Sequence, residues 1–247
     1  MPYLLEKDIG ETPCDIIQKF KFNNPGVKYS FAGRLDPMAR GNMIVLQGEE
    51  CKKQDSYCAI TKVYEFEILF GFSTDTYDIL GLLDRYSFHY PLPKLDLDLE
   101  RYQGSFKQEY PPYSSIIVNK QPLWWWSREG RLSEVTIPKK EVEIFKLEIL
   151  GSKVLADNFD LLGEIEKKIF KLETFRHLEF RVPQILDRWK SVLFLANSDF
   201  KPHIKKYRAT VSSGTYIRSL AHRIGLDLGI GALAWDIHRT EFIGLDI

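Results

Sequence analysis

The sequence predicts an α+β protein, and three observations carry that prediction. Apolar and polar side chains alternate over residues 62–70 and 142–150, helical spacing appears over 12–22 and 121–130, and residues 207–228 read as strand, Ser/Gly turn and helix. Period-two alternation marks a strand with one buried face, whereas apolar residues three and four apart mark a helix packed on a core. In chain order, the first helix is expected over 12–22. A glycine-bounded run, Gly33-Arg34-Leu35-Asp36-Pro37-Met38-Ala39-Arg40-Gly41, then leads into Met43-Ile44-Val45-Leu46, an unbroken apolar stretch that reads as a buried strand. In the next strand Tyr64, Phe66, Ile68 and Phe70 share one face, and Glu65 and Glu67 the other. The prolines of Tyr110-Pro111-Pro112-Tyr113 favour an extended, semi-rigid segment, after which Trp124, Trp125 and Trp126 divide between core and surface on one amphipathic helix. Residues 151–206 contain two helix-like or strand-like blocks, Leu161 to Phe175 and Pro183 to Ala196. Phe170, Leu172, Phe175, Leu178, Phe180, Trp189, Val192 and Phe194 make them too apolar for a free linker, so they are expected to pack on the core. The final helix presents Ile217, Leu220, Ala221, Ile224 and Leu228 on one face, and a strand is expected over Trp235 to Phe242.

Composition narrows the functional classes. A chain of 247 residues that is 44% hydrophobic buries a sizeable core in one large or two modest domains. No apolar stretch approaches the ~20 residues of a membrane span, and the first residues lack the basic start and apolar centre of a signal peptide. A soluble, cytoplasmic protein is expected. The three cysteines, Cys14, Cys51 and Cys58, form neither an even set nor a C-x-x-C pair, and the five histidines lack ligand spacing, so neither a disulfide framework nor a metal site is indicated. Thirty-four basic residues balance thirty-four acidic ones, which taken alone argues against an RNA partner, since phosphate contact supplies most of the affinity. A local basic groove remains open, because Lys201, His203, Lys205, Lys206 and Arg208 cluster before the last helix.

Several residues admit two readings. Asp36 before Pro37 suits the N-cap of a helix, and suits equally a carboxylate held for chemistry between a glycine turn and a strand. Tyr64 by position is core. Ser73-Thr74-Asp75-Thr76-Tyr77-Asp78-Ile79-Leu80-Gly81 has the composition of a tight Asx-type loop and lacks the oxygen-ligand spacing of a calcium site. Arg218 lies off the apolar face of its helix, near the positive end of the dipole, where a cation gains nothing; another group should want it there.

The run G-x-L-D-P-x-A-x-G ahead of an apolar strand resembles the active-site segment of the TruB family of pseudouridine synthases, and Gly33-Arg34-Leu35-Asp36 looks like the equivalent segment of related synthase families. Further segments match in the same order. Lys62-Val63-Tyr64 is similar to the family's K-x-Y, and residues 74–81 to its T-D-T-x-D-x-x-G loop. Phe106 to Ser115 is similar to its F-x-Q-x-P-P-x-Y-S-A, and Gly214-Thr215-Tyr216-Ile217-Arg218 to its G-T-Y-I-R signature. The opening Lys7-Asp8-Ile9-Gly10-Glu11-Thr12 resembles K-P-x-G-x-T more weakly.

This resemblance implies a pseudouridine synthase fold, a central mixed, mainly antiparallel sheet flanked by helices. Residues 1–150 and 207–247 would form the catalytic domain, and 151–206 an insertion of unknown role packed on it. It implies an isomerase without a cofactor, acting as a monomer on the T loop of tRNA at uridine 55, with the tRNA T arm as partner. Asp36 is then the catalytic aspartate, Arg218 its ion-pair partner and Tyr64 the base-stacking residue that assists proton removal. Phe31, Arg34, Tyr113, Tyr216 and Lys7 are expected at the RNA, and residues 73–81 as scaffold near the cleft. Three positions depart from the family's pattern: Asp8 replaces a proline, Ile117 a lysine, and Phe31 the histidine that helps open the T loop. The small PUA-type RNA-binding domain that many members carry after the core is not expected here, so recognition would rest on the core and the insertion. The alternatives are a synthase for another structured RNA and a non-catalytic RNA-binding or RNA-folding protein on the same scaffold.

Overall fold

A computed structural model describes residues 2–23, 25–88, 98–155, 160–172, 176, 177, 179–196 and 200–245. In chain order its strands and helices are β1 (Tyr3–Lys7), α1 (Pro13–Asn23), β2 (Tyr29–Ala32), β3 (Ala39–Gln47), α2 (Gln54–Ala59), β4 (Lys62–Phe70), β5 (Phe72–Thr74), β6 (Leu83–Tyr86), β7 (Gly104–Glu109), β8 (Ile117–Val118), β9 (Gln121–Pro122), α3 (Leu123–Arg128), β10 (Lys139–Val154), α4 (Leu161–Ile169), α5 (Val182–Leu193), β11 (His203–Val211), α6 (Ile217–Asp227) and β12 (Ala232–Phe242). Eight strands form one sheet in the order β1-β3-β12-β4-β11-β10-β7, with β2 added to β3. The contact of β12 with β3 is parallel and the other pairings are antiparallel. The expected mixed, mainly antiparallel sheet flanked by helices is therefore present. Among the described residues no helix is long and apolar enough to cross a membrane.

The sheet's centre is buried on both faces. From β4, Tyr64, Phe66, Ile68 and Phe70 pack with Ile217, Leu220, Ala221 and Ile224 of α6 in one core. On the other face Leu69 and Phe72 meet α4 and α5. The two blocks of the 151–206 region are thus helices. In α4, Leu161, Ile165 and Ile169 recur every four residues, and the Asp160 side chain caps the helix by accepting from the Gly163 N–H at 2.8 Å. In α5, Val182, Ile185, Leu186, Trp189 and Val192 form one apolar stripe, with Trp189 fully buried. Burying side chains of this size contributes roughly 1.5–3 kcal/mol each, which is what anchors the region. Strand β10 continues to Val154 and β11 begins at His203, so both ends of the 151–206 region belong to the central sheet. Phe175 and Leu178 lie outside the described residues, as does His89.

The expected helices at 12–22 and 121–130 appear as α1 and the shorter α3. Trp126 is buried with its indole N–H on the Val118 carbonyl, whereas Trp124 is 41% exposed, so the tryptophan run divides as its spacing suggests. No helix follows Asp36. Residues 37 and 38 form a turn closed by the Ala39 N–H on the Asp36 carbonyl at 3.0 Å, and β3 starts at Ala39. The helix-cap reading of Asp36 is therefore excluded.

Candidate active site

The Asp36 loop is pinned from every side. Gly33 takes a left-handed backbone (φ +71), and a side chain there would press on Arg239 and Lys62. Leu35 and Met38 are buried in the two opposite cores, which leaves the carboxylate between them 29% exposed. Behind the loop, the Gly10 N–H donates to the Pro37 carbonyl at 2.9 Å. The fully buried Lys7 donates to the carbonyls of Asp8 (2.8 Å), Pro37 (3.4 Å) and Ala39 (2.5 Å). Burial outweighs the nearby Asp36 and lowers the Lys7 pKa to about 8. Lys7 lines neither cavity beside Asp36, so the expectation of an RNA contact there is corrected: its ammonium is spent on carbonyls that hold the loop.

In front of the loop stands Arg218, second residue of α6, whose side chain is 3% exposed. Its Nε donates to Asp36 Oδ2 at 2.8 Å and its Nη2 to Asp36 Oδ1 at 3.0 Å, a bidentate pair. The remaining N–H groups reach the carbonyls of Thr76 and Tyr113. A second carboxylate, Asp78, lies 3.7 Å from Arg218. Burial opposes the guanidinium's charge, but Asp36 and Asp78 more than offset this and hold its pKa above the ordinary value. Asp78 is fully enclosed. Burial pushes its carboxyl up to about 6 against the pull of Arg218, and it accepts from the Thr76 hydroxyl at 2.7 Å and the Leu80 N–H at 2.9 Å.

Two cavities open on either side of Asp36 and share Arg34, Leu35, Tyr113 and Ser115 as their common wall. The hydrogen bond from Arg34 to the Ser115 hydroxyl spans that wall. The first cavity, about 310 Å³, is lined by Asp36, Tyr64, Tyr216, Ile217, Lys62 and Arg239 among others. Tyr64 is buried in the wall, its hydroxyl 3.5 Å from Arg239 Nη1. Tyr216 is held by Gln108, whose Oε1 accepts from the Tyr216 N–H at 2.7 Å and whose Nε2 donates to the Tyr216 carbonyl. Burial, with Asp36 nearby, pushes the Tyr216 phenol up to about 12. The second cavity, about 460 Å³, takes in Phe31, Trp124, Arg128, Phe180, Arg176 and Arg218. Tyr113 stands between the two. Its phenol is pushed up to about 12 by burial and by Asp75, and the Arg181 guanidinium lies 4.6 Å over its ring. Arg34 is exposed, with its guanidinium 5.6 Å from the Phe31 ring centre.

Asp36, Tyr64, Arg218, Arg34, Phe31, Tyr113 and Tyr216 thus converge on one cleft, and Lys7 stands behind it. The 73–81 loop is more than scaffold, because it supplies Asp78 and the Thr76 carbonyl to Arg218. Sequence reasoning also missed Gln108, Arg239 and Arg181. Arg239 is fully buried and donates to the carbonyls of Asn42 (2.7 Å) and Gly33 (2.8 Å), and Arg181 pairs with Asp75 at 2.7 Å. The T-D-T-x-D and F-x-Q patterns were a signal for Asp78 and Gln108; nothing local marked the two arginines. The basic run before α6 does not form a groove at the site. Lys206 and Arg208 point to the sheet face opposite Tyr207 and Ala209 and are paired with Glu65, whose carboxyl they hold down at about 2.

An α+β domain with a bidentate carboxylate–guanidinium pair at the mouth of an aromatic-lined cleft describes a class of site. Comparison with known proteins specifies the family. Residues 19–168 match the family model described as TruB family pseudouridylate synthase (N terminal domain). The chain belongs to the TruB family. It is 30% identical over 239 residues to tRNA pseudouridine synthase B of Nitratidesulfovibrio vulgaris (strain Miyazaki F), covering 96% of this chain and 61% of that protein. It is 28% identical to tRNA pseudouridine synthase 4 of Saccharomyces cerevisiae, covering 81% of this chain and 57% of the relative. The chain therefore spans about three fifths of the length of these relatives. Among solved structures, a Cbf5-Nop10-Gar1 complex contains a chain of similar fold, with a TM-score of 0.54 at 18% identity over 98% of this chain and 48% of that one.

Proposed function

We propose that this chain isomerises a uridine to pseudouridine in the T loop of tRNA, at uridine 55, with Asp36 as the catalytic aspartate. The observation that carries this reading is the Asp36–Arg218 pair, set at 2.8 and 3.0 Å beside a cavity walled by Tyr64. In the reaction the bond from N1 to the sugar carbon breaks, the base turns, a bond forms from C5 to the same carbon, and the proton leaves C5 while N1 gains one. Nothing is oxidised and no group is imported, so the chemistry requires no cofactor. The base must leave its stack to enter the cavity, at a cost of a few kcal/mol. Asp36 attacks the sugar carbon or the base, or stabilises the sugar–base system as the base is eliminated, and Arg218 keeps it ionised and oriented. Tyr64 stacks on the base and helps remove the C5 proton. Arg34, Tyr113, Tyr216 and Phe31 contact the RNA around it, with Phe31 wedging by stacking at the position where the family resemblance leads one to expect a histidine. Residues 151–206 serve as an insertion on the catalytic unit, and the protein acts as a cytoplasmic monomer on the tRNA T arm.

Tritium release from uridine labelled at C5 in a T-arm hairpin tests this reading. Release by wild type and none by Asp36→Asn is the expected result. Phe31 favours one alternative, a synthase for another structured RNA. Binding of the hairpin without release, with release from a different RNA, would replace the tRNA assignment by that one.

A further inference from the structure

The cavity beside Tyr64 holds more positive charge than its own acid balances. Its walls carry Arg34, Lys62, Lys140 and Arg239 against one carboxylate, Asp36, which Arg218 already holds at both oxygens. Arg239 donates to the Gly33 and Asn42 carbonyls and lies near the Tyr64 hydroxyl, all uncharged oxygens. Lys62 donates to the carbonyls of Cys58 (2.7 Å) and Ile60, which leaves one of its three N–H groups unspent. Burial, then the charges of Arg239 and Lys140, hold its pKa down at about 8. Lys140, near the start of β10, is half-buried and lies across the turn before α6. A Cβ added to Gly214 would meet its Nζ, Cδ and Cε within 3 Å, so glycine is what lets the lysine lie there. Among the described residues no hydrogen-bond or ion-pair partner takes the Lys140 ammonium. Two lysines and a buried arginine without a counter-carboxylate repel one another, and an anion placed among them relieves that repulsion and takes up the unspent donors.

We propose that Lys140 and Lys62, with the Ser213-Gly214-Thr215 turn between them, form a phosphodiester subsite that holds an RNA backbone phosphate next to the uridine bound against Asp36 and Tyr64. This rests on the synthase reading above and adds to it a positioning contact outside the reacting atoms. A nucleotide with its base on Tyr64 and its sugar at Asp36 has its own flanking phosphates within one nucleotide of the same cavity, and the lysines fix the sugar's approach to Asp36. Lys140 supplies an ammonium whose donors are all free. Lys62 supplies one donor and a fixed charge beneath it.

The test is fluorescence anisotropy with a labelled T-arm hairpin against wild type, Lys140→Gln and Lys140→Arg over a series of KCl concentrations. Two further hairpins carry a neutral methylphosphonate on the linkage 5′ or 3′ of the target uridine. Loss of one charge-assisted contact is expected to weaken binding by Lys140→Gln about tenfold and to flatten the salt dependence by about 0.7–0.9 of a log unit per log unit. Lys140→Arg restores both. One of the two methylphosphonates weakens binding to wild type while leaving Lys140→Gln unaffected. Equal affinity and slope for Lys140→Gln and wild type overturn the subsite, as does a methylphosphonate penalty that is the same in both proteins. Pseudouridine formation on the same hairpin is scored separately. Normal turnover with Lys140-independent binding removes the subsite alone, whereas Lys140-dependent binding without turnover on any RNA removes the synthase reading and leaves the phosphate site. A wild type that binds none of the hairpins overturns both.

Discussion

Replacing Arg218 by methionine and Asp36 by asparagine should abolish the same activity at very different costs in stability. The Arg218 side chain is 3% exposed and donates to Asp36 twice and to the Thr76 and Tyr113 carbonyls. Its removal leaves Asp78, 7% exposed, as a buried carboxylate without its cation, and deprives two carbonyls of a donor. Breaking a buried pair from one side costs about 3–5 kcal/mol, which for a domain of this size lowers the melting temperature by roughly 6–20 °C. Asp36 is 29% exposed, and in Asp36→Asn the guanidinium keeps Asp78, both carbonyls and an amide oxygen. That change amounts to one weakened charge-assisted bond, about 1 kcal/mol, or roughly 2–4 °C. Thermal unfolding followed by circular dichroism reads the stabilities, and tritium release from C5-labelled uridine reads turnover. Normal release by Asp36→Asn, or a melting temperature as low as that of Arg218→Met, would refute the reasoning.

Three further outcomes follow from the same geometry. Burial raises the Asp78 carboxyl from 3.8 to about 6, so between those values the folded protein keeps a proton that the unfolded chain has released, and stability falls as pH rises through the window. Asp78→Asn cannot ionise, so its melting temperature should gain on wild type from pH 4 to pH 7, and a constant difference across that range would show that the buried charge is fully compensated. Lys7→Met should lower stability by about 1–3 kcal/mol, because three carbonyls lose a buried donor; RNA affinity per folded molecule is expected to stay the same, and a selective loss of binding would return Lys7 to the RNA surface. Phe31→His should leave turnover on a T-arm hairpin intact or raise it. A large fall accompanied by a lower melting temperature would mean that the Phe31 ring serves mainly as packing against α1 and β3.

What the sequence made legible was whatever local periodicity or short motifs encode. The alternation of Tyr64, Phe66, Ile68 and Phe70 placed β4 without error, because a strand's two faces are set by consecutive residues. The Asp36–Arg218 pairing was legible through resemblance, since 182 residues separate the partners and no local rule connects them. Arg239 and Arg181 stayed hidden for the same physical reason. Their surroundings are assembled from Gly33, Asn42 and Tyr64 in one case and from Asp75 and Tyr113 in the other, and an arginine in a strand or before a helix normally reads as solvated. Lys7 shows the converse. A motif lysine near a candidate site suggests a phosphate contact, and only the carbonyls gathered around its ammonium reveal that it faces inward. The basic run at 201–208 misled because charge counted along a strand ignores that alternate residues face opposite ways and that Glu65 on the neighbouring strand neutralises two of them.

The strand β12 lies between β3 and β4, and its Arg239 reaches back to the Gly33 carbonyl beside the Asp36 loop. During synthesis the ribosome delivers Asp36 early and Arg239 some two hundred residues later. Until then β3 and β4 have an empty lane between them, and the loop lacks the brace that shapes it. Strand pairings that span so much of a chain form late and slowly. A partly translated chain therefore carries Asp36 without the brace that shapes its loop, and that loop takes its folded form only once β12 has been delivered and has closed the lane.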